Sequence, residues 1–224
     1  MSIAEKFEVI ADAVYDKALS DRDEKIWYMI TDGGTKYNYT NTFAFSDWSG
    51  YKFAKPIKPT GAIIQMFYSC YNITALPENI DFSEICTYEG GRHDSYTYRR
   101  GVCGYCYKLQ VFPDLNMRAI GGLEEWFQFC RALHTIELLR VKRETIYTNT
   151  FTYCDKLTEI RFDGEIGQDI SFKDSPLLSD ESLENIAEHM INTNATITLH
   201  STVKNRINGT PIYSTITGKG WTIA

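Results

Sequence analysis

Thr150-Phe151-Thr152-Tyr153-Cys154-Asp155-Lys156-Leu157-Thr158-Glu159-Ile160 decides the reading of this chain, because its pattern occurs three more times upstream. The nearest copy is Trp126-Phe127-Gln128-Phe129-Cys130-Arg131-Ala132-Leu133-His134-Thr135-Ile136, and Val102-Cys103-Gly104-Tyr105-Cys106-Tyr107-Lys108-Leu109-Gln110-Val111-Phe112-Pro113 precedes it. The first is Met66-Phe67-Tyr68-Ser69-Cys70-Tyr71-Asn72-Ile73-Thr74-Ala75-Leu76-Pro77. All four have the form F-x-x-C-x-x-L-x-x-L, with Cys103 in the Phe place once and Ile in some Leu places. Cys70, Cys106, Cys130 and Cys154 lie 36, 24 and 24 residues apart. A weaker copy, Phe43-Ala44-Phe45-Ser46, stands 24 residues before the first, with Ser for Cys, which makes five turns.

Self-similarity at about 20–29 residues with L-x-x-L-x-L spacing predicts an α/β fold of the leucine-rich-repeat solenoid type, each turn adding a short strand to a parallel sheet. Leu133, Ile136 and Leu138, then Leu157, Ile160 and Phe162, are expected to point inward. The Phe and Cys positions stack behind them as ladders, the thiols serving as small core fillers that need no hydrogen-bond partner. Outward-facing residues then form rows, with Ala75, Val111, Thr135 and Glu159 in one and Pro77, Pro113, Glu137 and Arg161 in the next. Glu137 and Arg161 fall about 5 Å apart, one strand spacing, as a modest surface bridge.

A solenoid exposes an apolar face at each end, so the flanks read as caps. Residues 1–36 form a helical N-terminal cap: Ser2-Ile3-Ala4-Glu5 is a capping box, and Ile3, Phe7, Ile10, Ala11 and Val14 share one helix face. A second helix runs from Asp21 to about Ile30, and Gly33-Gly34 ends it. The repeats occupy 37–178. Residues 179–224 form an α/β C-terminal cap, with a helix from Ser179 that aligns Leu183, Ile186, Ala187, Met190 and Ile191, a strand at Thr196–Leu199 and a closing strand at Lys219–Ile223.

Composition limits the function. The 224 residues are 43% hydrophobic, enough for one cored domain, and 29 acids against 23 bases leave a net charge of −6. Such a chain holds no general field for a phosphate backbone, so nucleic acid is not an expected partner. The opening Met1-Ser2-Ile3-Ala4-Glu5-Lys6 has no basic region before an apolar core, and no stretch approaches a membrane span, so cytoplasmic synthesis without membrane insertion is expected. Six cysteines in that setting are expected to be thiols. The 15 tyrosines are the unusual feature, suited to surfaces that touch other molecules.

Catalytic patterns are lacking. Cys103-Gly104-Tyr105-Cys106 is a C-x-x-C without the second close pair that structural zinc needs, so no metal or other cofactor is expected. His93, His134, His189 and His200 fit no H-x-x-H, H-E-x-x-H or nucleophile motif. Gly121-Gly122 and Gly164-Glu165-Ile166-Gly167 lack the strand-loop-helix setting of a phosphate loop, and Glu124-Glu125 reads as the exposed start of a turn. Sequons at Asn38, Asn72, Asn194 and Asn208 count as chance matches without an export signal. The chain is therefore expected not to be an enzyme.

The 36-residue interval holds 12 residues beyond the period, placed near 86–101. This insert is rich in Tyr, Arg, Gly and Ser, the composition of binding loops, because Tyr gives contact area at low rotamer cost and Arg gives directional donors. Its candidate ligand-binding residues are Tyr88, Arg92, His93, Tyr96, Tyr98, Arg99 and Arg100. The same composition also suits a solvated hairpin turning at Gly90-Gly91, with Tyr96 and Tyr98 packed on the repeats. Its charge of +1, or +2 with His93 protonated, is too small for a phosphate tract.

The start Met1-Ser2-Ile3-Ala4-Glu5-Lys6-Phe7-Glu8-Val9-Ile10-Ala11-Asp12, the stretch Trp27 to Asn41, the Phe-x-x-Cys repeats and the ending Gly218-Lys219-Gly220-Trp221-Thr222-Ile223 together resemble the BspA-type leucine-rich repeats. They resemble in particular short members encoded near tail genes in prophages of Gram-positive gut bacteria, over almost the whole chain. The resemblance implies a non-enzymatic solenoid that presents a surface for a protein or glycan on a cell, or for other virion proteins. Incorporation in a phage particle as a tail-associated or host-recognition accessory protein follows from it, and an oligomer is compatible with it. The family also includes secreted adhesins, from which this chain departs in lacking an export signal. Two alternatives stay open: a bacterial adhesin or intracellular scaffold of the same fold, and, ranked behind it, a glycan-directed enzyme with loop-borne acids.

Overall fold

The computed structural model describes residues 31–32, 37–38, 52–57, 63, 65–76, 78–83 and 101–224. The helices expected before Ile30, the weak copy at 43–46 and the insert up to Arg100 lie outside the described residues. The fold is mixed α/β, with short parallel strands in small sheets and few helices. At the start, β1 (Thr31–Asp32) and β2 (Tyr37–Asn38) pair antiparallel, and β3 (Lys52–Ile57) pairs parallel with β4 (Glu78–Ile80).

The largest sheet comprises β5 (Val111–Phe112), β6 (Ile120–Gly122), β7 (Thr135–Ile146) and β8 (Glu159–Gly164). The long β7 receives β5 along its first half and β6 along its second, with β8 on its other side, all parallel. Val111 sits against Thr135 and Thr135 against Glu159, so the expected row forms at the 24-residue period. Two further backbone ladders join the same segments. Gln110 N–H donates to Thr74, His134 to Gln110 and Thr158 to His134 at 2.9–3.0 Å. At the F-x-x-C turns, Ser69 N–H donates to Gly104, Tyr105 to Gln128 and Phe129 to Thr152 at 2.7–2.8 Å.

The core is built of columns that run through these segments. Phe67, Cys103, Phe127 and Phe151 are buried, as are Ile73, Leu109, Leu133 and Leu157. Each such Leu or Phe removes enough apolar area from water to favour folding by about 2 kcal/mol. The Phe column ends in stacked rings, Phe127 on Phe151 at 6.0 Å and Phe151 on Phe172 at 4.7 Å. Phe172 opens Phe172-Lys173-Asp174-Ser175-Pro176-Leu177-Leu178, a copy of the motif that sequence analysis missed. Ser175 takes the Cys place and is buried, its hydroxyl donating to the Cys154 carbonyl at 3.2 Å.

Three expectations are corrected here. The thiols do have hydrogen-bond partners: Cys106 donates to Phe67 O, Cys130 to Cys103 O and Cys154 to Phe127 O at 3.1–3.2 Å. Each of these carbonyls also accepts the N–H of the cysteine three residues on, so both of its lone pairs are used. Leu138 is only half-buried, and Leu139 fills the interior instead, paired with Phe162. Between Ile136 and Leu139 the register shifts, so β7 bulges and every later residue moves one place against β8. That shift also removes the Glu137–Arg161 bridge. Glu137 instead accepts the N–H of Asp114 at 2.9 Å, and Arg140 pairs with Asp114 through two bonds of 2.6 and 3.0 Å.

Beyond β8 a helix replaces the next strand. Helix α1 (Asp180–His189) starts at Ser179, whose side chain accepts Ser182 N–H, and buries Ser182, Leu183, Ile186 and Ala187. Its face covers the outer edge of β8 with side chains. Ser182 Oγ accepts Ile160 N–H at 3.0 Å, Asn185 Oδ1 accepts Phe162 N–H at 2.7 Å, and His189 Nδ1 donates to Gly164 O at 2.8 Å. Gly164 has φ +102°, and a Cβ there would lie 2.0 Å from Val141 O, so the close approach of β7 requires glycine. A second parallel sheet, ordered β11-β10-β9, comprises β9 (Ile170–Phe172), β10 (Thr196–Leu199) and β11 (Thr222–Ile223). Helices α2 (Ser201–Ile207) and α3 (Pro211–Gly218) lie between the last two strands and were not expected. The closing strand is shorter than expected because Lys219 ends α3, its ammonium donating to the carbonyls of Ala187, Glu188 and Met190 at the end of α1.

Candidate binding surface

Each F-x-x-C turn contains two residues in the left-handed region, five places and one place before its cysteine. The first set is Gln65, Gly101, Glu125 and Asn149, the second Ser69, Tyr105, Phe129 and Tyr153. Side chains resist this conformation by about 1–2 kcal/mol each, and bulky ones are rarely found there. In the last three turns the residue before the cysteine is aromatic and belongs to a ladder of rings, whereas Ser69 in the first is buried. Tyr105 stacks on Phe129 at 4.6 Å and Phe129 on Tyr153 at 4.5 Å, close to the spacing of adjacent strands.

The residue after each cysteine makes a second row. Tyr71 stacks on Tyr107 at 5.4 Å, and Arg131 lies 5.9 Å from the Phe129 ring centre and 5.5 Å from that of Tyr153. Tyr71, Tyr107 and Tyr153 are 45%, 39% and 42% exposed, so three of the larger exposed apolar surfaces fall on this one face. Tyr68 meets Tyr105 edge-on at 5.2 Å. A Cβ on Gly101, where the chain rejoins the described repeats, would lie 3.6 Å from Tyr68. The root of the insert therefore adjoins the aromatic face, while its candidates Tyr88, Arg92, His93, Tyr96, Tyr98, Arg99 and Arg100 lie outside the described residues.

Beside the second row is an open depression of about 570 Å³. Tyr107, Ala132 and Leu177 give it apolar lining, with Arg131, His134 and Lys156 around them. Leu177 is 47% exposed. A second depression, about 770 Å³, is lined by amides and hydroxyls including Thr148, Asn149, Gln168, Ser171 and Asn194. Its one carboxylate, Asp169, accepts Thr196 N–H at 2.7 Å.

Other sequence candidates occupy structural positions. Cys103 and Cys106 are buried free thiols, and burial raises their pKa values. His134 Nδ1 lies 3.0 Å from Thr135 Oγ1, and His200 caps α2 by accepting Thr202 N–H. Glu124 and Glu125 begin a turn, as expected, but it is not an exposed one. Glu124 is buried and Glu125 half-buried, because Leu123 and Glu125 donate to Ile146 and Thr148 of the next segment and are held in a ladder. Among the described residues no helix is long and apolar enough to cross a membrane. The sequence pattern could have revealed the rings as a repeated aromatic before Cys, but not the backbone conformation that presents them. No family model, curated protein or solved structure matches the chain.

Proposed function

We propose that the chain is a leucine-rich-repeat solenoid of BspA type that binds rather than catalyses, offering a repeat-built surface to a protein or glycan on a cell. The phage tail-associated, host-recognition role implied by the family resemblance is part of this proposal. The observation that carries it is the doubled aromatic row, in which Tyr71, Tyr107 and Tyr153 keep large exposed rings at strained or adjacent positions of successive turns. Rigid rings held at strand spacing supply contact area at low entropic cost, the usual chemistry of recognition surfaces. The 24-residue register and the Phe, Cys and Leu columns support the solenoid reading. Neither depression brings two carboxylates together, which favours binding over acid-catalysed glycan hydrolysis.

The test is saturable binding of fluorescently labelled protein to a panel of Gram-positive gut bacteria, with Tyr71→Ala/Tyr107→Ala and Tyr96→Ala/Arg99→Ala proteins alongside. Strain-selective binding lost in the first pair assigns recognition to the rows, and loss in the second assigns it to the insert. An absence of binding to every strain rejects host recognition.

A further inference from the structure

We infer that the depression beside the second aromatic row is a docking site for a protein segment that carries an apolar side chain flanked by carboxylates. This inference rests on the binding reading above and names the ligand chemistry of one part of that surface. Its floor is apolar, from Tyr107, Ala132 and Leu177, and Leu177 leaves nearly half of its surface to water. Its rim carries Arg131 and Lys156, with His134 as a third nitrogen base, and no carboxylate lines it. On a chain of net charge −6, a hollow lined by two cations and no carboxylate is complementary to an anionic ligand. Arg131 has an internal ion-pair partner in Asp155, but at 3.7 Å between side chains that are each about half exposed the pair is weak and leaves the guanidinium open to a ligand. The guanidinium is nonetheless oriented, because it lies against the Phe129 and Tyr153 rings.

Two features select a peptide over other anions. A phosphate backbone would leave the Leu177 and Ala132 floor unfilled, and two cations are few for a tract of phosphates. A volume of about 570 Å³ accommodates a leucine-sized side chain with part of its backbone, leaving the neighbouring acids beside Arg131 and Lys156.

The probe is a short acetylated peptide alternating Glu and Leu, compared with its counterpart in which Gln replaces every Glu, followed by amide shifts of the isotope-labelled full chain. The expected result is shifts centred on Tyr107, Ala132, His134 and Leu177 with the Glu peptide alone, weakening as salt is raised. Lys156→Glu should weaken binding by about tenfold or more, since it places like charges together, and Leu177→Ser should abolish it. Both positions are exposed, so these variants keep the native spectrum elsewhere. Equal binding of the Gln peptide, shifts centred on another face, or no shifts would each overturn the inference. The same two variants in the whole-cell assay separate the two proposals. If wild type binds cells and both variants bind equally well, the hollow is not the site although the binding reading stands. If wild type binds no cells yet the Glu peptide fills the hollow as described, the docking site stands and host recognition fails.

Discussion

The outer edge of β8 is closed by side chains of α1, and this arrangement permits a quantitative forecast. Ile160 N–H faces Ser182 Oγ at 3.0 Å, with both residues buried. Ser182→Ala removes the only acceptor under a helix that keeps water out, leaving a sealed amide at a cost of about 2 kcal/mol. Asn185→Ala frees Phe162 N–H from a 2.7 Å bond, but that contact is only partly buried, so water recovers part of it and the expected cost is about 1 kcal/mol. At about 2–4 °C per kcal/mol for a domain of this size, Ser182→Ala should lower Tm by about 4–8 °C and Asn185→Ala by about 2–4 °C. The two bonds belong to one edge, so the double variant should fall by no more than their sum. Glu184→Ala, on the exposed side of the same helix, should stay within about 0.5 kcal/mol of wild type. Calorimetry gives the ordering, and size-exclusion chromatography of the double variant should reveal association through the uncovered strand. An Asn185→Ala loss larger than that of Ser182→Ala, or a Ser182→Ala melting curve identical to wild type, would refute edge closure as the role of this face.

Three more outcomes follow from the structure. Lys219→Met should destabilise the fold by about 2 kcal/mol, read by chemical denaturation, because one ammonium serves three carbonyls at the negative end of α1. Cys103, Cys106, Cys130 and Cys154 are buried with raised pKa values, so at pH 8 they remain thiols that a disulfide reagent such as DTNB cannot titrate until the protein unfolds. Rapid reaction of more than two of the six thiols in native buffer would contradict that packing. Tyr153→Asn should shift Tm by less than about 3 °C, because Asn tolerates the left-handed backbone and the lost ring is 42% exposed, while the whole-cell assay should show weaker binding.

The repeat was legible because its chemistry is periodic. Phe, Cys and Leu recur at fixed offsets, and each offset proved to be a buried column. The bulge in β7 was not legible, since Leu138 and Leu139 are adjacent and equally apolar, and only the pairing with Phe162 selects the second. Helices α2 and α3 were hidden for different reasons. In α2 the seven residues bury only Val203 and Ile207, too short a pattern to show a period, whereas α3 reads Pro211-Ile212-Tyr213-Ser214-Thr215-Ile216-Thr217, rich in β-branched residues that favour strands. Pro211 at its first turn and the Thr210 cap outweigh that bias locally. The motif copy that begins at Phe172 was hidden by a single Cys-to-Ser exchange and a shortened interval.

The aromatic face was least legible, and the reason bears on what it does. If the turn before each cysteine served only the fold, Gly or Asn would relieve about 1–2 kcal/mol of backbone strain at each position. Tyr105 and Phe129 are half-buried and flanked by rings, at about 0.5–1.5 kcal/mol per stacked pair, so their contacts offset the strain. Tyr153 has one stacked neighbour and the Arg131 guanidinium 5.5 Å from its ring centre, contacts that offset its strain, and 42% of it still stays exposed. Tyr71 and Tyr107 carry no such strain and stack on each other at 5.4 Å, yet still leave 45% and 39% of their surface in water. In the binding function proposed above, this exposed ring area is what a partner would cover. The proposed contact would lie along the rows, with the hollow adjoining them at Tyr107 and the root of the insert at Tyr68, and the binding tests address these places.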